Sequence, residues 1–311
     1  MNPPATTVAY FGPAATFTQE ALLTQPDLAP ADLRPLGSIT AVLEAVAAGD
    51  VDLGFVPMEN AIEGTVSATI DGLIHDVDLH IVREVVMDIH LHLMARPGTG
   101  LDGIRHVDSY PHALAQCQKF LAEALPDVEQ RAANSTADAA RLLGESPDGE
   151  DGAAIAPRLA AERYGLVVVA EDVEDHPDNQ TRFVLVARTR VPKPTGHDKT
   201  SIVCFQRADH PGSLHGILGQ FAARNINLTK LESRPTKQGL GDYCFVIDLS
   251  GHVGDEVVAD CLRDLHAGLA GVKFLGSYPA AGEHGAEQRR QADAAWQAAD
   301  EWLRKLRGAI E

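Results

Sequence analysis

The chain has 311 residues, 45% hydrophobic and 23% charged, an ordinary globular composition long enough for about two domains. A net charge of −18 and a pI near 5.0 exclude nucleic acid as a partner, because so acidic a surface gains nothing from releasing counterions there. No run approaches the roughly eighteen apolar residues of a membrane helix, and no cationic start followed by an apolar stretch opens the chain, so a cytoplasmic location is expected.

Val8-Ala9-Tyr10-Phe11 is a buried-strand run that stops at Gly12-Pro13. Thr16 followed by Gln19 has the capping-box pattern and opens a helix through Leu23. A second helix is predicted over 41–48, a strand over 51–56, and a third helix over 65–74. Residues 79–94 read as one long extended segment, with Ile89, Leu91 and Leu93 alternating with His90 and His92. Helices over 113–125, 135–143 and 158–164 then alternate with strands over 153–155 and 167–169, and a last strand spans 183–186. Such alternation predicts an α/β fold, with two lobes joined by two crossings and a cleft between them.

The Val191-Pro192-Lys193-Pro194-Thr195-Gly196 stretch reads as a linker, and the charge changes there. Residues 1–190 hold 12 basic against 29 acidic residues, and residues 191–311 hold 14 against 15. Lys119 is the single lysine of the first block, which leaves almost no candidate there for Schiff-base chemistry. Beyond the linker, strand, helix, strand, strand, helix, strand over 199–279 follow the ferredoxin-like βαββαβ plan. Residues 288–310 read as an amphipathic helical tail carrying Trp296, Trp302, Leu303 and Leu306.

Cys117, Cys204, Cys244 and Cys261 are scattered without a Cys-x-x-Cys pair, which favours buried, reduced thiols. The histidine pairs His75/His80, His90/His92 and His106/His112 lack the helical spacing of a zinc pair, so no metal is expected. Neither a strand followed by Gly-x-Gly-x-x-Gly nor a Gly-Lys-Ser/Thr sequence is present, so no nucleotide cofactor is expected either.

Ligands of open α/β sheets bind beyond the carboxyl ends of strands, next to helix N-termini. Residues 12–18, 57–65 and 179–183 fall at such places. Each has an ordinary explanation as a cap, a turn or a solvated charge, but all three share one kind of junction. These segments, together with Ser109-Tyr110-Pro111-His112-Ala113-Leu114-Ala115-Gln116-Cys117 and Asn134-Ser135-Thr136-Ala137-Asp138-Ala139-Ala140, resemble the signature motifs of prephenate dehydratase. Asp209-His210-Pro211-Gly212-Ser213-Leu214 and the segment from Asn225 to Pro235 resemble a phenylalanine-binding ACT domain.

The resemblance implies a catalytic domain over 7–188, similar in fold to two-lobed type 2 periplasmic binding proteins, a linker over 189–198, an ACT domain over 199–279 and a helical tail over 280–311. It implies cofactor-free decarboxylative dehydration of prephenate to phenylpyruvate, regulated by L-phenylalanine in a dimer or tetramer. Thr181, Arg182 and Phe183 are the expected catalytic group. Arg182 is expected to attract the dianion, Thr181 to hydrogen-bond the departing hydroxyl, and Phe183 to pack as the wall that keeps Arg182 in place. Thr16, Phe17, Glu59, Asn60, Gly64 and Thr65 are the expected substrate-binding residues. Pro211, Gly212, Ser213, Leu214, Asn227, Leu228, Glu232, Ser233, Arg234 and Pro235 are expected to bind the effector between subunits.

The first block departs from the family pattern at four places. Ala15 replaces Gly, which asks only for a permitted backbone geometry, and Ala61 replaces Ser. Tyr110 and His112 stand where His and Gln are usual, and neither is assigned a catalytic role. In the regulatory motif His215 follows Leu214 where Val is usual. An arogenate-preferring dehydratase and a non-catalytic small-molecule sensor are the alternative functions.

Overall fold

Short apolar runs ended by glycine, proline or a capping hydroxyl set the order of elements. The computed structural model describes residues 6–146, 151–206, 210–239, 241–281, 301–302, 304–305 and 307–308. The first sheet collects β1 (Thr7–Phe11), β2 (Asp32–Leu36), β3 (Leu53–Asn60), the short β4 (Gly64–Thr65) and β5 (His80–Asp88). The second holds β6 (His92–Ala95), β7 (His106–Ser109), β8 (Glu129–Ala132), β9 (Gly152–Ala156) and β10 (Val167–Ala170). β11 (Gln180–Ala187) then returns to the first sheet, giving the orders β2-β1-β3-β11-β5 and β10-β6-β9-β7-β8. The chain therefore crosses between the sheets twice, at 89–91 and 171–179, as the two-lobed reading expected.

Helices α1 (Phe17–Leu23), α2 (Ile39–Ala48), α3 (Ser67–Asp71), α4 (Pro111–Ala115), α5 (Gln118–Ala124), α6 (Thr136–Glu145) and α7 (Arg158–Tyr164) flank these sheets. Thr16, Ser38 and Ser135 cap α1, α2 and α6 by accepting from the backbone N–H three residues on. Each such cap contributes about 1 kcal/mol. Alternation along the strands divides the core of the second lobe. Leu93, Ala95, Ala153 and Ile155 pack against Leu114, Cys117 and Leu121, whereas Met94, Ala154 and Ala156 pack against Ala137, Ala140 and Ala160.

The third sheet contains β12 (Asp198–Phe205), β13 (Leu228–Pro235), β14 (Tyr243–Ser250) and β15 (Gly271–Pro279) in the order β13-β14-β12-β15. Every pairing in it is antiparallel, and α8 (Ser213–Ala222) and α9 (Glu256–Gly268) cover one face, which is the expected βαββαβ plan. Two compact units result, 1–72 with 85–184 and 73–84 with 185–311.

Segment 73–84 is bound within the second of these units. Lys199 Nζ contacts both carboxylate oxygens of the buried Glu84 at 2.9 and 2.8 Å, and Lys273 Nζ donates to the carbonyls of Ile74 and Val77. Among the described residues no helix is long and apolar enough to cross a membrane. Residues 301, 302, 304, 305 and 307 are helical, as the tail reading expected, and the rest of that reading lies outside the described residues.

Several elements differ from expectation. The extended run 79–94 is two strands in different sheets, because alternation marks a strand but not the point where a chain leaves its sheet. The helix expected over 113–125 breaks at Gln116-Cys117, where the second crossing supplies its own partner: the backbone N–H of Asp175 bonds the Gln116 carbonyl at 2.6 Å. The helix expected over 65–74 is shorter, because residues 64–65 pair with β3 and a wider helical turn follows from Gly72. β2, β7 and β8 were not anticipated; β2 and β8 are polar edge strands with no buried face to imprint a pattern, and in the interior β7 His106, Asp108 and Ser109 interrupt the apolar signal.

Candidate active site

A cavity of about 490 Å³ opens within the first unit, where the carboxyl ends of β1, β3 and β7 meet the loops that follow them and the start of α6. It is lined by residues of the 11–18, 57–66, 110–116 and 134–136 segments, by both crossings, and by β11. The expected residues Thr16, Phe17, Asn60, Gly64, Thr65, Thr181 and Phe183 all line it.

Thr181 is buried, and its Oγ1 accepts a hydrogen bond from Asn60 Nδ2 at 2.8 Å. The backbone N–H groups of Ile62 and Glu63 both donate to Asn60 Oδ1 at 2.9 Å, which fixes the amide with its NH2 toward Thr181. The same NH2 reaches Asn179 Oδ1 at 2.8 Å. An oxygen that already accepts from an amide keeps its own O–H proton for another acceptor.

Neighbouring residues on a strand point to opposite faces, and β11 obeys this rule. Phe183 shares the Thr181 face and stacks on Phe55, with ring centroids 5.5 Å apart. Arg182 and Glu59, both expected at the ligand, do not line the cavity. Arg182 faces away, its side chain only 10% exposed, with Nη1 3.8 Å from Glu59 Oε2. Among the described lining residues none is Lys or Arg, and the titratable ones are Glu63, Tyr110 and His112.

Thr16 caps α1, and Phe17 packs against the core of the second lobe. Ala15 has φ +65°, in the left-handed region, so the family's glycine position is a conformational requirement that alanine meets here under strain. Ala61, the position of the missing hydroxyl, donates its backbone N–H to the Gln180 carbonyl at 2.8 Å and does not line the cavity.

Residues not assigned from sequence complete the site. Asn179 is buried and donates to Gln116 Oε1 at 3.0 Å; Gln116 Nε2 donates to Glu63 Oε1 at 3.3 Å; His112 Nδ1 lies 2.8 Å from Glu63 Oε2. All four belong to segments already singled out by motif. Their roles were not readable because the partners lie as much as 63 positions apart.

At the crossings His90 Nδ1 approaches Glu174 Oε1 at 3.1 Å and Asp172 Oδ1 at 3.4 Å, close enough for these three residues to share a cation, although an ion pair accounts for the geometry. His92 is buried beside them and its pKa is pushed down, chiefly by burial and also by Arg158. Its Nδ1 accepts from the Asp172 backbone N–H at 3.2 Å, which requires an unprotonated nitrogen there. All four cysteines are free and buried, and burial pushes the Cys117 and Cys204 thiols up to about 12, which removes them as nucleophiles.

In the second unit Gly212 takes φ +89° at the start of α8, and Gly212 and Ser213 line a cavity of about 330 Å³ between α8 and α9. Pro211 is exposed, and Leu214 packs on the core. Asn227 lies just before β13. Leu228, Glu232, Ser233, Arg234 and Pro235 lie along β13, an edge strand of its sheet. Ser233 of the second motif borders another cavity, together with Phe205, Tyr243 and Phe245, and among the described residues that cavity and the one between α8 and α9 have only Gln206 in common.

The family model for prephenate dehydratase matches residues 8–191, and that for the ACT domain matches residues 200–267. A prephenate dehydratase of Mycolicibacterium vanbaalenii is 41% identical, covering 96% of this chain and 98% of the relative. A crystal structure of prephenate dehydratase from Arthrobacter aurescens in complex with L-Phe is 41% identical, with a TM-score of 0.87 over 98% of this chain and 100% of that one. GqqA, described as a novel type of quorum quenching acylase, is 27% identical with a TM-score of 0.80, over 88% of this chain and 98% of that one. With both domains matched in order and the relatives covered almost end to end, the chain belongs to the prephenate dehydratase family.

Proposed function

We propose that the cavity converts prephenate to phenylpyruvate, with loss of carbon dioxide and water, and that L-phenylalanine regulates it through the C-terminal unit. The observation that carries this reading is the Thr181 hydroxyl, buried and held by Asn60 with its own proton left to donate. The C–C bond to the ring carboxylate breaks and releases CO2; its electron pair forms a ring double bond, the adjacent ring double bond shifts by one position, and the C–O bond breaks. The departing hydroxide takes one proton, supplied from solvent, to leave as water, and the ring becomes aromatic. Thr181 donates to that oxygen as charge builds on it, so its hydrogen bond is strongest in the transition state.

The dianion meets no lysine or arginine among the described lining residues. Hydroxyls of Thr16, Thr65 and Thr136, and the N-terminus of the ten-residue α6, are the groups that hold its carboxylates. Arg182 acts as a positioning residue: its pairing with Glu59 ties β11 to β3 beside Thr181 and Asn60. Phe183 fixes that strand through its stack on Phe55.

The two separated regulatory motifs fit an effector site completed by a second copy, so self-association and a cytoplasmic location belong to this reading. Incubation with prephenate should yield phenylpyruvate. Turnover of arogenate in preference, or of neither compound, would replace the reading with the arogenate-preferring dehydratase or the sensor. Phenylalanine should change the rate and raise the melting temperature, since a ligand that binds the fold stabilises it.

A further inference from the structure

Glu63, in the turn between β3 and β4, and His112, in α4, meet across the cavity. From that pair a path of side-chain hydrogen bonds runs without a break to the catalytic hydroxyl. Glu63 Oε1 accepts from Gln116, Gln116 Oε1 accepts from Asn179, Asn179 Oδ1 accepts from Asn60, and Asn60 donates to Thr181 Oγ1. The His112 ring is held from its other side by Tyr110, stacked with centroids 5.4 Å apart. His112 and Tyr110 are the two positions of this motif where the chain departs from the family pattern.

We propose that His112 and Glu63 are positioning residues that act on Thr181 through this path. Their pair holds α4 to the β3–β4 turn and seats Gln116 against Asn179. It thereby places Asn179 Oδ1 against the Asn60 NH2 beside Thr181, adding to the hold of the Ile62 and Glu63 backbone on that amide. Both side chains are about half exposed, at 56% and 43%, and exposed ion pairs add little to stability. The pair's contribution therefore lies in geometry, where a misplacement of about an ångström can cost up to about a hundredfold in rate.

The kinetic consequence rests on the dehydratase reading, so the test carries a second readout that does not. His112→Leu and Glu63→Ala should each lower kcat for prephenate about tenfold, with KM within about twofold and the melting temperature almost unchanged. Combining them should cost no more than either alone, because both break the same link. His112→Gln, whose amide can still donate to Glu63, should keep kcat within about threefold of the unaltered protein.

In 15N-labelled protein the side-chain amide signals of Asn60 should move in His112→Leu and Glu63→Ala and stay in place in His112→Gln. Unchanged kcat in the two disruptive variants overturns the proposal. So does a loss in His112→Gln as large as in His112→Leu, or a loss without movement of the Asn60 signals. If the unaltered protein does not turn over prephenate, the dehydratase reading falls and the amide signals alone decide the path: movement sustains it, and none overturns it.

Discussion

Asn60 Nδ2 and Thr181 Oγ1 lie 2.8 Å apart although 121 positions separate them in the chain. β3 and β11 are neighbours in one sheet, so the amide and the hydroxyl are delivered by adjacent strand ends rather than by flexible loops. The amide oxygen is occupied by two backbone N–H groups, and only its NH2 is left to face the hydroxyl.

Thr181→Val keeps the shape of the side chain and removes the donor. Steady-state kinetics with prephenate should show kcat lower by about 10²–10³-fold, with KM changed far less, the signature of an interaction made in the transition state. Thr181→Ser should keep most of the rate. Equal loss in kcat and affinity, or no loss, would remove Thr181 from the chemical step.

Asn60→Asp tests the direction of the proton. A carboxylate only accepts, so the Thr181 hydroxyl would turn its proton inward and withdraw it from the substrate. A fall in kcat close to that of Thr181→Val is expected at neutral pH, with no additional loss when the two changes are combined. Activity near that of the unaltered protein would mean that the Asn60 amide does not orient the hydroxyl.

His92 gives the fold an acid-sensitive point. Its folded pKa lies below the unfolded value of about 6.5, chiefly because it is buried. The unfolded chain therefore binds the proton first. The stabilisation from neutral His92 is complete above about 6.5 and is lost as the pH falls below it toward the folded pKa. Melting temperatures at pH 7 and pH 5 should show this loss, and His92→Asn, which can still accept from Asp172, should shrink the difference. An unchanged difference would mean that other groups set the acid limit.

Gly276 marks a close approach within the second unit. It sits at φ +146° in β15, and an added Cβ would fall on the Ile81 carbonyl oxygen and within 2.9 Å of the Ile81 backbone nitrogen. Gly276→Ala should cost about 2–4 kcal/mol in denaturant unfolding, with the strain at special backbone geometry adding to the clash. Gly271→Ala in the same strand meets nothing closer than Phe205 at 3.9 Å and should change stability by less than about 0.5 kcal/mol.

Much of the fold was readable before the structure. The Thr16 cap, the helix that begins near Ser135, the buried β1, β9 and β11 runs, and the βαββαβ order of the C-terminal unit all follow from contacts within a few residues. Two of the misread segments share a cause. Residues 79–94 and 113–125 have unbroken local patterns, yet each is divided where a distant segment intrudes. At the site, Thr181, Phe183 and Asn60 line the cavity as expected, whereas Arg182 and Glu59 do not.

The sequence by itself determined the α/β and βαββαβ classes, which segments carry the motifs and which family they resemble, because those properties reside in residue type and short spacing. Tertiary structure alone decided that Arg182 turns from the cavity, that Asn60 donates to Thr181, and that Glu63 reaches His112. Each depends on which strands lie side by side and which face of β11 the cavity takes, and no local interaction encodes that choice.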